Sequence, residues 1–417
     1  MSTRLATAGS TLISPQKSVI LGASDCNEGP WEGIESDIEA NVLALWSEDE
    51  DFPLILVTLD LLYPGRRLRD AIEEAAYPVP PERILVAASH THRAPMTDDT
   101  KTGLGRPDVE YLDWIADTVS SLVRSVLTSD RVPITLRLGT SIADHSINRR
   151  LRKRLVLSSR PRLNKVVMAP NPQGFRDELL TALVVHSSGE DQPLAVLWNY
   201  ACHPVAGPTQ NAVSGHFPTA VRDGVRQYYN NSSLPVLFFQ GFSGNTRPKA
   251  SGQAQTLKSK VRRRLAGPVF ERMKPHTYQK WMTSLTEVLL GAIRNAKILD
   301  SPKTSVRRIS IPGSDFMDAN KPLDHVYVSR IDLDTKVSFV TVSAEVVAEY
   351  APILRQILHD RHVVCVGCAD HVIGYLPTQE IMSEGGYEAG QFCKPFDLDG
   401  VNPKAPSALI RAFEQLA

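Results

Sequence analysis

ILVAASHTHRAP, residues 84–95, runs from five apolar residues directly into two histidines, an arginine and a proline. An apolar run of this length, bounded by polar turn residues, predicts a short buried strand that ends at Ala88. The same signature recurs at Leu54 to Leu59, Leu194 to Tyr200, Val236 to Gln240, Val337 to Val342 and His362 to Val366. Between these runs, amphipathic spacing predicts helices at Arg67 to Ala76, Val109 to Leu127, Thr219 to Tyr229, Tyr278 to Ala296 and Val346 to Leu358. Strands alternating with helices along the chain predict an α/β architecture, a mixed β-sheet core with flanking helices. Polar residues repeatedly sit just past the strand ends, where open α/β sheets place their sites.

Composition narrows the partners. Acidic and basic residues are equal in number, 46 of each, so nothing in the charge favours nucleic acid or a strongly anionic surface. No apolar run approaches the roughly 20 residues that span a bilayer, so membrane insertion is not expected. The N-terminal MSTRLATAGSTLISPQKSVIL has no continuous apolar core of the kind an export signal needs, and the expected location is the cytoplasm. Five cysteines in 417 residues do not make a disulfide framework. The single CVGC at 365–368 has no second pair to complete a zinc ribbon, so buried free thiols are expected. The basic stretch LKSKVRRRLAGPVFERMK, within residues 250–276, fits a solvated helix face. Its place directly after QGFSGNTRP makes a lid over a site the alternative.

Four strand ends carry residues able to do chemistry. They are Ser89-His90-Thr91-His92, Asn199 to Pro204 with His203, Ser343-Ala344-Glu345, and His371 to Thr378 with Tyr375. Imidazole and carboxylate are donors that zinc prefers, and catalytic zinc sites keep a position open for water. Taken singly, each has a plain structural role. A His-x-His or a lone His203 fits a hydrogen-bonded turn, and Glu345 fits a carboxylate at a helix start. No HExxH is present.

Their order and company resemble the catalytic domain of the neutral/alkaline (non-lysosomal) ceramidases, a family of zinc-dependent amidohydrolases. Leu12-Ile13-Ser14-Pro15 resembles the family's opening "DITP", and Gly33 to Ala40 its "GVHDPLYARA", with Asp60 closing the matching strand. SHTHRAP resembles "SHTHSGP", Asn148-Arg149 "NRS", and NYACHPV "FAVHPTS". SGHFPTAV resembles "SGDFPG" and QGFSGNTRP "QGAAGDxxP", while GYLPT and GGYEAG resemble the last two blocks. The resemblance runs in order from about residue 10 to residue 395, and it implies one catalytic unit over residues 1–417. It also implies that His90, His203, Glu345 and Tyr375 hold one zinc ion at the strand ends. His92, Arg149 and Tyr387 then face the substrate or its proton transfers, and the reaction is attack on an amide carbonyl by a zinc-activated water.

Several departures from the family pattern bear on the substrate. Gly244-Asn245-Thr246-Arg247-Pro248 has asparagine for aspartate and arginine where the family has serine. His216 replaces an acid, and Arg93 adds a second cation beside the histidines. The chain also ends soon after GGYEAG, without the immunoglobulin-like domain of the secreted ceramidases. Arg93, Asn245, Thr246, Arg247 and His216 are therefore expected to line a site for a soluble small-molecule amide bearing a carboxylate, rather than for ceramide. The same chemistry would serve an ester or lactone hydrolase, or an acyl-transferring cyclase in a biosynthetic pathway. Degenerate loops would instead suit a non-catalytic binding protein.

Overall fold

The structure is a computed structural model that describes residues 4–23, 32–47, 50–154, 164–189, 192–299 and 304–417. The six apolar runs form strands, each with the expected bounds except that Leu194–Tyr200 gains Pro193. The larger sheet contains β1 (Arg4–Leu12), β2 (Glu39–Trp46), β3 (Leu54–Leu59), β4 (Ile84–Ala88), β5 (Val132–Ile142), β6 (Leu179–Ser187), β7 (Pro193–Tyr200) and β8 (Val236–Gln240). They lie in the order β8-β7-β6-β5-β1-β2-β3-β4, and the short strand Lys297–Ile298 pairs with β5. The middle is antiparallel, and only the flanking pairs β3–β4 and β7–β8 are parallel. A second sheet of β9 (Ser305–Ile311), β10 (Val326–Asp334), β11 (Val337–Val342) and β12 (His362–Val366) ends in a third parallel pair, β11–β12.

Side-chain alternation explains how the layers stack. On β3, Ile55, Val57 and Leu59 face one core while Leu54 and Leu56 face another, the period of two that a strand buried on both faces requires. The first core is roofed by α1 (Arg66–Ala76) and α2 (Val109–Thr128). The other joins the two sheets face to face, with Leu56, Leu197 and Phe239 against Leu333, Phe339 and Val364. Next, α3 (His216–Tyr229) and α5 (Pro275–Arg294) cover β6, β7 and β8, with α4 (Leu257–Ala266) between them in sequence. Finally, α6 (Tyr350–Ile357) and α7 (Ala405–Gln415) cover the second sheet. The fold is the expected mixed α/β architecture.

Four helix starts differ from the sequence-based expectation, two of them simply earlier, at Arg66 for Arg67 and at Pro275 for Tyr278. The helix placed at Thr219 begins at His216, with Pro218 inside its first turn, where a missing N–H costs nothing. The helix placed at Val346 begins only at Tyr350. Glu345–Val346 is instead a two-residue strand, and the Glu345 N–H donates to the Gly374 carbonyl (2.8 Å). Among the described residues Cys202, Cys365, Cys368 and Cys393 are buried free thiols, while Cys26 lies outside them. No described helix is long and apolar enough to cross a membrane.

Candidate metal centre

The three parallel pairs of the two large sheets point their C-terminal ends at one place. His90 follows β4, His203 follows β7, Glu345 follows β11, and Tyr375 lies in a short strand after β12. Glu345–Val346 pairs in parallel with Tyr375–Leu376, with Glu345 opposite Tyr375, so the carboxylate and the phenol arrive side by side. The approach needs Gly374, whose φ is +149° and where a Cβ would lie 2.7 Å from the Phe392 ring. His90 itself has φ 64°, the left-handed region that side chains other than glycine seldom adopt.

Each imidazole is oriented by a backbone carbonyl. Nδ1 of His90 donates to the Leu62 carbonyl (3.1 Å) and Nδ1 of His203 to that of Ser243 (2.8 Å). A carbonyl only accepts, so Nδ1 carries the proton and Nε2 turns inward on both rings. The two Nε2 atoms are 3.2 Å apart, and Oε2 of Glu345 is 3.2 Å from the first and 3.3 Å from the second. Tetrahedral zinc with bonds of about 2.0–2.1 Å spaces its donors about 3.3 Å apart. The three atoms therefore have the spacing of a zinc ligand set, and Tyr375 Oη adds a fourth donor 3.4 Å from His203 Nε2.

The electrostatics agree with the geometry. Burial, with Arg149 nearby, holds His203 well below the ordinary imidazole value, which favours the neutral ligand. Burial opposes charge on Glu345, yet His90 and His203 keep its pKa well below the usual carboxylate range. The centre thus attracts one positive charge, either a proton on His90 or a metal ion that displaces it. His92 belongs to the same group: a ring nitrogen from each of His90, His92 and His203 lies within 4.8 Å of the others, a cluster that can hold a metal ion.

No family model and no curated protein matches the chain by sequence. Solved structures do match by shape. The crystal structure of neutral ceramidase from Pseudomonas aeruginosa superposes with a TM-score of 0.75 at 13% identity, over all of this chain and 74% of that one. A ceramidase complexed with C2 superposes equally well, with a TM-score of 0.75 at 13% identity over the whole chain and 75% of that one. The chain has the neutral ceramidase fold.

Around the candidate metal centre, this ceramidase-like scaffold places Arg149 and Tyr387. The Arg149 guanidinium lies 5.5 Å from the Tyr375 ring centre and 5.3 Å from that of Tyr387, and the two rings are 5.4 Å apart. Glu388 holds it there by accepting from Arg149 Nε (2.7 Å) and Arg150 Nη1 (2.6 Å). Glu388 is 1% exposed and was not among the residues expected from sequence. Tyr63, whose hydroxyl donates to Glu345 Oε1, was not expected either. Neither residue has a local signal, since its partner stands more than 200 positions away in sequence.

Several expected substrate residues are engaged by the scaffold itself. Asn245 is fully buried, with its amide nitrogen on both Glu349 oxygens (2.8 and 2.7 Å) and its amide oxygen on the Ala348 N–H (3.0 Å). Thr246 donates to the carbonyls of Ser243 (3.2 Å) and Ala201 (3.3 Å). Arg93 is 2% exposed and donates to the His92 carbonyl (2.7 Å), and its own carbonyl accepts from Ser214 N–H (2.8 Å). Arg247 stacks 5.2 Å from the Phe270 ring centre, and His216 is buried 3.4 Å from the Tyr278 hydroxyl. The structure brings His90, His92, His203, Glu345, Tyr375, Arg149 and Tyr387 together around one centre.

The burial of Glu349 bears on stability. Burial pushes the Glu349 carboxyl up to about 7 from 4.5. A raised folded-state pKa gives stability that is fully present below pH 4.5 and is lost as pH rises through about 7. Glu349→Gln, which cannot ionise, is expected to match the wild-type protein near the acid end of that window and to exceed it above. Urea denaturation at several pH values checks this, and a stability gap that does not grow with pH would refute it.

Proposed function

We propose that this chain is a zinc-dependent hydrolase that cleaves the C–N amide bond of a soluble, carboxylate-bearing N-acyl or peptide-like molecule. The observation that carries this is the convergence of two carbonyl-oriented imidazoles and a carboxylate oxygen at the donor spacing of tetrahedral zinc. His90, His203, Glu345 and Tyr375 would hold the ion. When bound, zinc supplies a Lewis acid for the carbonyl and a nucleophilic water at neutral pH.

The protein's own residues do the rest. Arg149, clamped by Glu388, has a buried Nη2 without a carboxylate partner and offers it to a substrate oxygen. His92 and Tyr387, beside the centre, handle the proton that the leaving amine must gain and steady the developing oxyanion. Asn245, Thr246 and His216 hold the surrounding loops in register, and Arg93 braces the His92 turn. Arg149 and Arg247 are the cations assigned to the substrate carboxylate. Residues 250–276, which contain α4, act as a lid whose two ends are joined by the Glu271 N–H donating to the Ser251 carbonyl (2.9 Å). Leu257 and Val261 of α4 are left largely exposed.

Turnover of an N-acyl amino acid compared with the N-acyl amine lacking its carboxylate tests the substrate class. A hydrogen bond to a charged group contributes about 1.5–3 kcal/mol, so kcat/KM is expected to favour the amino acid by about 10–150-fold. Equal rates, or a preference for the neutral amine, would contradict it.

A further inference from the structure

The segment after β3 reaches two ligand candidates at once. The Leu62 carbonyl accepts from His90 Nδ1, and the next residue, Tyr63, donates its hydroxyl to Glu345 Oε1. Oε1 is the oxygen that does not face the imidazoles, since Oε2 lies 3.2 Å and 3.3 Å from their Nε2 atoms. Tyr63 is itself held firmly. It is 2% exposed, its ring centre is 5.4 Å from that of His90, and its carbonyl accepts from Thr97 Oγ1 (2.6 Å). On its other side Lys101, buried and paired with Asp98, places its ammonium 5.3 Å from the ring centre. A phenol beside an ionised carboxylate is the donor, because it gives up its proton far less readily than a carboxyl group.

We infer that Tyr63 is a positioning residue that occupies one oxygen of Glu345, so that the carboxylate presents only Oε2 to the metal. The inference rests on the proposed metal centre, and it concerns the shape of that centre rather than its existence. A carboxylate free to turn can engage an ion through both oxygens, raising the coordination number and taking up the position a water needs. Locking Oε1 keeps the ligand set open. Hydrogen bonds to ligating groups of this kind are typically worth 10–100-fold in metal affinity.

Tyr63→Phe keeps the ring, its packing on His90 and the Lys101 contact, and removes only the donor. Zinc affinity measured by competition with a chromophoric chelator is expected to fall about 10–100-fold. Cobalt-substituted protein should show weaker visible absorption, as the metal gains a second carboxylate oxygen. Tyr63→Met, which fills the volume with a flexible apolar chain, should show the same loss of affinity if the phenylalanine variant does not fold. A purely structural hydroxyl would lower the melting temperature of the metal-free protein yet leave zinc affinity and the cobalt spectrum unchanged, and that result overturns the inference. Wild-type protein that binds no zinc would overturn the metal centre itself, a failure distinguishable from the loss of Tyr63's role alone.

Discussion

His92→Ala is expected to keep the metal and lose amide hydrolysis by about 10²–10⁴-fold, the usual worth of a positioned acid–base group. His90→Ala and His203→Ala are expected to lose the metal and, with it, all measurable turnover. The contrast follows from geometry. Nε2 of His90 and of His203 meet Glu345 Oε2 within 3.3 Å, while His92 reaches the same cluster only within the looser 4.8 Å grouping. The Leu62 and Ser243 carbonyls turn the Nε2 atoms of His90 and His203 toward that oxygen. Metal content and kcat/KM measured on the three variants decide the matter. Loss of metal from His92→Ala would make the ligand set three histidines and move Glu345 to the role of base.

The second large effect concerns folding. Glu388 is buried between Arg149 and Arg150, and all three side chains are nearly inaccessible to water. Glu388→Ala leaves two buried guanidinium groups facing a gap, and breaking a buried pair of this type costs about 3–5 kcal/mol. Arg150 retains Glu384 (3.0 Å) and the Gly385 carbonyl (2.8 Å), so Arg149 bears most of the loss. Glu388→Gln, which keeps one acceptor and the side-chain shape, is expected to lose less. Denaturant midpoints at constant slope report both values. A cost below about 1 kcal/mol for the alanine variant would show that solvent reaches the clamp.

The sequence was most legible where burial is two-sided. Strands such as Leu54–Leu59 and His362–Val366 read as mostly apolar runs because helices cover one face and a second sheet the other. Ser146–Arg154, SINRRLRKR, gave no such signal, since Arg149, Arg150 and Arg152 are neutralised by Glu384 and Glu388 from the far end of the chain. Glu345 was locally ambiguous for a related reason. Its neighbours favour a helix, but the Gly374 carbonyl takes its N–H first and turns the segment into a strand beside Tyr375. The four proposed ligands came into view through the order of motifs along the chain. Their supports, Tyr63 and Glu388, act across the fold, and no local pattern marks them.

His90, His203 and Glu345 are proposed to hold a catalytic zinc ion. The most direct measurement is a crystal of zinc-loaded protein with diffraction recorded on both sides of the zinc absorption edge. The expected result is about one zinc per chain, as an anomalous peak about 2.0–2.2 Å from His90 Nε2, His203 Nε2 and Glu345 Oε2. No peak at that position in zinc-loaded protein, or a peak bound elsewhere with Glu345 unliganded, would contradict it.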